Sequence, residues 1–266
     1  MQFRNITLLS ILLLTTNVFA IDKDFECSGA PQNPAIKQAV KWYRDSAEKR
    51  AIYRQTFAIA GEYVKAQIDK DHLKPQSWGV ILDIDETTLD NSSYFKNCNE
   101  LADNEDDFSK YIDLKEFSKA LPGVVKFSCS VKKQGGYVSL VSNRDGAYTS
   151  GNTVAATVDN LKKQGVCFDQ IVLTNRKDNP TPSDKNPRFN AVEFGKYESK
   201  LMVWSNKIPP HKVIAYIGDN IQDFPKFKQS DIIKLDANDD NYNIFGHGYF
   251  ILPNPLYGSW EDNQFN

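Results

Sequence analysis

Two aspartates separated by one residue, Asp83 and Asp85, follow the short apolar run Gly79-Val80-Ile81-Leu82. A run of that length and branching reads as a buried strand, and while the strand lasts a period of two puts both carboxylates on one side. Carboxylates so close repel unless a proton or cation sits between them, and a hard divalent ion such as Mg²⁺ is matched by oxygen ligands. An aspartate can also attack phosphorus as a covalent nucleophile. A lone Asp-x-Asp is more often an acidic turn that caps the next helix. Three further stretches, in order, argue against capping alone. Ser142-Asn143 closes the run Gly136 to Val141 and offers a hydroxyl and an amide to a phosphate oxygen. Lys185, followed by Arg188, opens a helical segment, where an ammonium can neutralise charge on a transferring phosphoryl group. Gly218-Asp219-Asn220-Ile221-Gln222-Asp223-Phe224 closes the run Val213 to Ile217 and brings two more carboxylates, able to face one point across a first helical turn.

These residues stand where predicted strands stop. Strand-like runs cover 79–82, 136–141, 170–173 and 213–217, with a further one at 249–252. Helical stretches lie between them at Val124 to Lys133, Thr153 to Lys163 and Arg188 to Lys200. This alternation predicts an α/β fold, a doubly wound parallel sheet with right-handed crossovers. Ligands of such sheets bind outside the carboxyl ends of the strands, so Asp83, Ser142, Thr174 and Asp219 are expected along one edge. Residues 35–68 read as a helical lead-in of one or two helices, with Ile36, Val40, Tyr43 and Ala47 on one face. Asn91 to Leu121 breaks the rhythm with acidic residues and scattered aromatics, and is expected to be a small inserted cap over the strand ends; a solvated excursion is the alternative.

The chain has 266 residues, 25% of them charged and 41% hydrophobic, which excludes a disordered tail and a collagen-like fibre. Lys and Arg number 32 against 34 Asp and Glu, so no basic excess points to a nucleic-acid polymer. Arg4, the apolar run Leu8 to Leu14 and Val18-Phe19-Ala20 have the layout of a signal peptide at residues 1–20, cleaved after Ala20. An uncleaved anchor or a buried first helix is the alternative. The product is expected to be a single domain over 21–266, periplasmic or secreted, with no integral membrane span. No cysteine follows the cleavage site directly, so a lipid anchor is not expected. Cys27, Cys98, Cys129 and Cys167 permit two disulfides in three connectivities, or free buried thiols. No arginine stands six residues after a cysteine, no Cys-x-x-Cys pair occurs, and His72, His211 and His247 lie outside any Arg-His-Gly context.

On Ile81 to Tyr94, Val141 to Arg144, Lys185 with Arg188, Ile217 to Phe224 and the ending Leu252 to Trp260, the chain resembles phosphatases of the haloacid dehalogenase (HAD) superfamily. Within it the resemblance is to the class C non-specific acid phosphatases, the family of outer-membrane lipoprotein e. It spans residues 78 to 262, with the helical lead-in also expected. The resemblance implies a HAD-like, Rossmannoid domain that hydrolyses phosphate monoesters, 5′-nucleotides and aryl phosphates among them, with one Mg²⁺ per chain. It implies Asp83 as nucleophile, forming an aspartyl-phosphate, and Asp85 as general acid and base. The metal would be held by Asp83, the Asp85 backbone carbonyl and Asp219, with Asp223 orienting a metal-bound water. Ser142, Asn143 and Lys185 would hold phosphoryl oxygens. Tyr94 and Tyr257 would stack on a substrate's base, with core packing the alternative for each. A non-catalytic phosphoester-binding or storage protein on the same scaffold is the rival reading, and a homodimer is permitted. Two positions depart from the family pattern: Thr88 where an apolar residue is usual, and Ile221 where Leu is usual.

Overall fold

Short β-branched runs with no polar face must be covered on both sides, and here helices cover them. The computed structural model describes residues 36–98, 105–114, 118–148 and 152–264. Two helices lead, α1 (Lys37–Asp45) and α2 (Ala47–Asp71), divided at Ser46, whose hydroxyl accepts from the Lys49 N–H and caps the second. Then follow β1 (Trp78–Leu82), β2 (Leu89–Asp90), α3 (Ser92–Asn97), α4 (Glu105–Asp113) and β3 (Lys119–Ala120). The alternation continues through α5 (Val124–Lys133), β4 (Tyr137–Asp145), α6 (Thr153–Lys163), β5 (Gln170–Thr174) and α7 (Asn186–Phe194). It closes with β6 (Met202–Trp204), β7 (Lys212–Gly218), α8 (Gln229–Ile232) and β8 (Tyr249–Ile251).

The main sheet has the order β6-β5-β4-β1-β7-β8. All neighbours are parallel except β5 and β6. A second, two-stranded antiparallel pair joins β2 to β3. Alternate residues divide between the two faces. Val80, Leu82, Leu140, Ile171 and Ile217 pack with Phe57 and Val64 of α2 and Phe127 of α5. Ile81, Val141, Val172 and Tyr216 pack with Phe189 and Val192 of α7. The chain moves from β1 to β4 and β5 on one side, then crosses back to β7 on the other, so the strand order reverses at β1. That reversal opens a crevice at the carboxyl end of β1, where Asp83 follows.

The expected parallel core is present, with three differences. The three-residue β6 was not anticipated; it pairs antiparallel on the sheet edge. Helix α7 begins two residues earlier and ends sooner than expected, because Gly195 adopts a left-handed φ of 71° and terminates it. The turn after Asp219 is a single 3₁₀ turn, Ile221–Asp223, rather than an α-helix. Within the described residues no helix is long and apolar enough to cross a membrane. The expected leader and Cys27 lie outside the described residues.

Cys129 of α5 is bonded to Cys167 ahead of β5, and Cys98 is also disulfide-bonded. The free-thiol alternative is therefore set aside for these three. The Cys129–Cys167 bond closes a sequence separation of 38. Chain-entropy reasoning for a loop of that size gives about 4 kcal/mol of stabilisation. The double variant Cys129→Ser/Cys167→Ser should therefore unfold about 10 °C lower in a thermal scan.

Candidate active site

The turn after β1 is closed by its own side chains. The Asp83 N–H still donates to the Ile217 carbonyl of β7 at 2.9 Å, so the residue is held in strand register. Thr88 N–H and Leu89 N–H both donate to the Ile84 carbonyl, at 2.9 and 2.8 Å. Between them Glu86 takes a left-handed φ of 55°. The Thr88 hydroxyl donates to the Asp83 carbonyl at 2.6 Å. A hydroxyl thus serves a backbone acceptor at the position where an apolar side chain is usual in the pattern the sequence resembles.

A cleft of about 440 Å³ lies at this end of the sheet. Asp83, Asp85, Ser142, Asn143, Lys185, Asp219, Asp223 and Tyr257 all line it; Tyr94 does not, nor does Thr174, which was expected along the same edge. Tyr94 is buried and packs edge-on against Phe95 and Phe108, with Tyr111 alongside.

Carboxylate oxygens of Asp83, Asp219 and Asp223 lie within 4.8 Å of one another. The Lys185 ammonium sits among them, bonded to Asp83 Oδ1 and 2.6 Å from Asp223 Oδ1. Asp219 is held through both oxygens, by Thr87 Oγ1 at 2.7 Å and Asn254 Nδ2 at 2.9 Å. Asp223 Oδ2 accepts from the Asp219 and Asn220 N–H groups at 3.1 and 2.9 Å. It therefore caps its own turn with one oxygen and faces Lys185 with the other. Gly218 is needed for this fold-back: a Cβ there would lie 2.5 Å from Asp223 Oδ2.

Asp85 does not share that cluster. Its carboxylate turns instead toward β4, where Arg144 Nη2 donates to Oδ1 at 2.7 Å and Ser142 Oγ donates to Oδ2 at 3.1 Å. The expectation that one strand face would direct both aspartates at one ion fails in geometry, because β1 stops at Leu82 and the chain turns between them. Asn143 presents its amide oxygen to the Nη2 of Arg188, a fully buried side chain. A guanidinium can only donate, so the amide N–H₂ of Asn143 is the end left for an oxyanion.

A model of HAD superfamily subfamily IIIB, the acid phosphatases, matches residues 7–260. The chain belongs to that family. Two solved structures of the class C acid phosphatase from Bacillus anthracis, one of them with tungstate bound, superpose on it with a TM-score of 0.64 each. They are 25% and 24% identical to it, over 85% of this chain and 86% of theirs. The protein is thus similar in fold and family to a phosphomonoesterase, and the mainly parallel α/β sheet is the HAD-like one.

In this acid phosphatase the electrostatics of the cleft are those of crowded like charges. Burial raises the Asp83 carboxyl well above the usual carboxylate range; Lys185 opposes the shift, and Asp223, Asp219 and Asp85 add to it. Asp219 is raised in the same way by burial and Asp223. Burial pulls Lys185 downward, yet Asp223 and Asp83 hold its ammonium above its ordinary range, so it is charged.

The phosphatase also uses groups that residue typing left without a role. Glu86 is fully buried and accepts from the Asn91 N–H at 2.7 Å and from the Tyr257 hydroxyl. Tyr257 in turn stacks on Phe95, with ring centroids 5.0 Å apart. Tyr43 and Tyr53 both donate to the Glu86 carbonyl, which ties the lead-in helices to the turn. Glu86, Thr87 and Asn254 all lie inside the stretches that carried the resemblance, but nothing in their residue types told that Glu86 would hold Tyr257 or that Thr87 and Asn254 would hold Asp219.

Proposed function

We propose that this acid phosphatase cleaves phosphate monoesters by forming an ester between Asp83 and phosphorus, with one Mg²⁺ at the carboxylate cluster. The observation that carries the reading is the convergence of Asp83, Asp219 and Asp223 on one point beside Lys185. Three carboxylates there face one ammonium, and burial together with the neighbouring carboxylates disfavours ionisation of Asp83 and Asp219. An all-oxygen donor set with excess negative charge fits a hard divalent cation. Asp83, Asp219 and the Asp85 backbone carbonyl would hold it, with Asp223 behind them. When bound, such an ion supplies positive charge against the phosphoryl oxygens.

The chain's own residues do the rest. The Asp83 carboxylate attacks phosphorus in line, and the P–O bond to the ester oxygen breaks. Asp85 gives its proton to that oxygen, which leaves as an alcohol. Water then attacks phosphorus, its proton passes to Asp85, and the Asp83 carboxylate and inorganic phosphate are released. Lys185 and the Asn143 amide stabilise the charge that spreads over the transferring group. With Asp83 and Asp85 both lining the cleft, the storage-protein alternative is not favoured.

The cleft supports a broad range of monoesters, because its volume suits a small molecule and its outer wall is apolar on one side. Phe108 and Ile112 of α4 belong to that wall, which supports reading the segment after β2 as a cap. Tyr257 remains the candidate for stacking on an aryl or nucleoside leaving group. The disulfide between Cys129 and Cys167 supports export to an oxidising compartment. Turnover of p-nitrophenyl phosphate at acid pH should disappear in excess EDTA and return on adding Mg²⁺. Turnover that survives exhaustive chelation would remove the metal from the proposal, and no turnover with any divalent ion would remove the activity.

A further inference from the structure

Asp85 is gripped more firmly than burial alone requires. Arg144, near the end of β4, lays one edge of its guanidinium along the carboxylate. Nη2 is 2.7 Å from Oδ1, and Nε is 3.0 Å from Oδ1 and 3.1 Å from Oδ2. Asn91 Nδ2 adds a third donor to Oδ1 at 2.7 Å, and Ser142 Oγ donates to Oδ2 at 3.1 Å. The far corner of the guanidinium is fixed as well: Nη1 donates to Thr157 Oγ1 on α6 at 3.0 Å. Arg144 and Thr157 are both buried, so the fork has no room to follow a moving carboxylate. The heavier load falls on Oδ1, with three donors against two on Oδ2, so Oδ2 is the less encumbered oxygen.

We infer that Arg144, anchored by Thr157, is a positioning residue that fixes the Asp85 carboxylate where it meets the leaving oxygen and keeps it out of the Asp83–Asp219–Asp223 cluster. The inference rests on the reading of Asp85 as the acid that protonates the leaving group. A planar two-point donor sets both the place and the plane of a carboxylate, which a lysine ammonium cannot do. Misplacing a reacting group by about 1 Å can cost on the order of 100-fold in rate.

The test compares two esters through kcat/KM, which reports the steps up to loss of the alcohol. p-Nitrophenol departs as its anion with little help, whereas glycerol needs a proton as it leaves. With Mg²⁺ saturating, Arg144→Lys should lower kcat/KM for glycerol phosphate by roughly 100-fold and for p-nitrophenyl phosphate by about tenfold less than that. Thr157→Val, which removes one hydroxyl from a residue outside the reacting groups, should show the same ordering with a smaller loss. Asp85→Asn should show it most strongly. If Arg144→Lys and Thr157→Val lower both esters equally while Asp85→Asn still discriminates, Arg144 merely holds the fold and the inference is overturned, with the acid role intact. If Asp85→Asn does not discriminate, the acid role itself fails and the inference fails with it. Should Arg144→Lys not fold, Thr157→Val decides alone by the same criterion.

Discussion

Asp83→Asn should abolish turnover and leave the fold intact. An amide oxygen is too poor a nucleophile to replace a carboxylate at phosphorus, so kcat/KM should fall by about 10⁴-fold or more, equivalent to ~5.5 kcal/mol of transition-state stabilisation. The change is nearly isosteric, and Lys185 keeps its 2.6 Å contact with Asp223. Asn also removes one charge from a crowd of buried carboxylates, where Asp223, Asp219 and Asp85 all disfavour ionisation of Asp83. The melting temperature measured in EDTA should therefore stay level or rise, even as activity is lost. A folded variant that hydrolyses p-nitrophenyl phosphate at near wild-type rate would assign the nucleophile elsewhere. A variant that loses activity only because it unfolds would show a lower melting temperature instead.

The two properties of this site differed in how readable they were. Position was legible because reacting groups at the ends of parallel strands carry a local signature. Asp83 after Leu82 and Asp219 after Gly218 each follow a short β-branched apolar run that reads as a buried strand, and both line one cleft. Orientation was not legible, because it is set by partners far away in the chain. Asp85 lies two residues from Asp83, yet Arg144 and Ser142 turn its carboxylate aside. Asp219 is oriented by Thr87 and Asn254, which lie 132 and 35 positions away in the chain. Aromatic residues posed the same difficulty. Tyr94 and Tyr257 looked equivalent in sequence, but Tyr94 is enclosed by Phe95 and Phe108 whereas Tyr257 reaches the cleft wall. Edges were the weak point for the fold itself. The strand β6 is only three residues long and pairs on one side, so no sustained pattern announces it. The end of α7 at Gly195 is the opposite case: its stop signal was present in the chain, and the helix-forming residues Lys196, Glu198 and Lys200 beyond it obscured it.

Lys185→Met should separate two tasks that one ammonium performs. The side chain is 3% exposed and contacts both Asp83 and Asp223. Removing it strands two carboxylates beside Asp219, and losing one partner of a buried ion pair typically costs about 3–5 kcal/mol unless a proton or cation replaces it. Methionine has a similar length and keeps the packing, so the loss is one of charge. In EDTA the melting temperature should fall sharply, since burial and the neighbouring carboxylates already oppose ionisation of Asp83 and Asp219. Mg²⁺ brings two positive charges to the same cluster and should recover most of that stability. Turnover should not recover with it. The ion would lie among the carboxylates, whereas the lysine also meets the charge that spreads over the transferring phosphoryl group, and removing one such donor costs about 10²–10³-fold in kcat. Thermal unfolding and p-nitrophenyl phosphate kinetics, each measured with and without Mg²⁺, therefore give distinct outcomes. If Mg²⁺ restores the melting temperature and the rate together, Lys185 is only a counter-ion of the fold. If stability returns and the rate stays low, the lysine acts on the phosphoryl group directly.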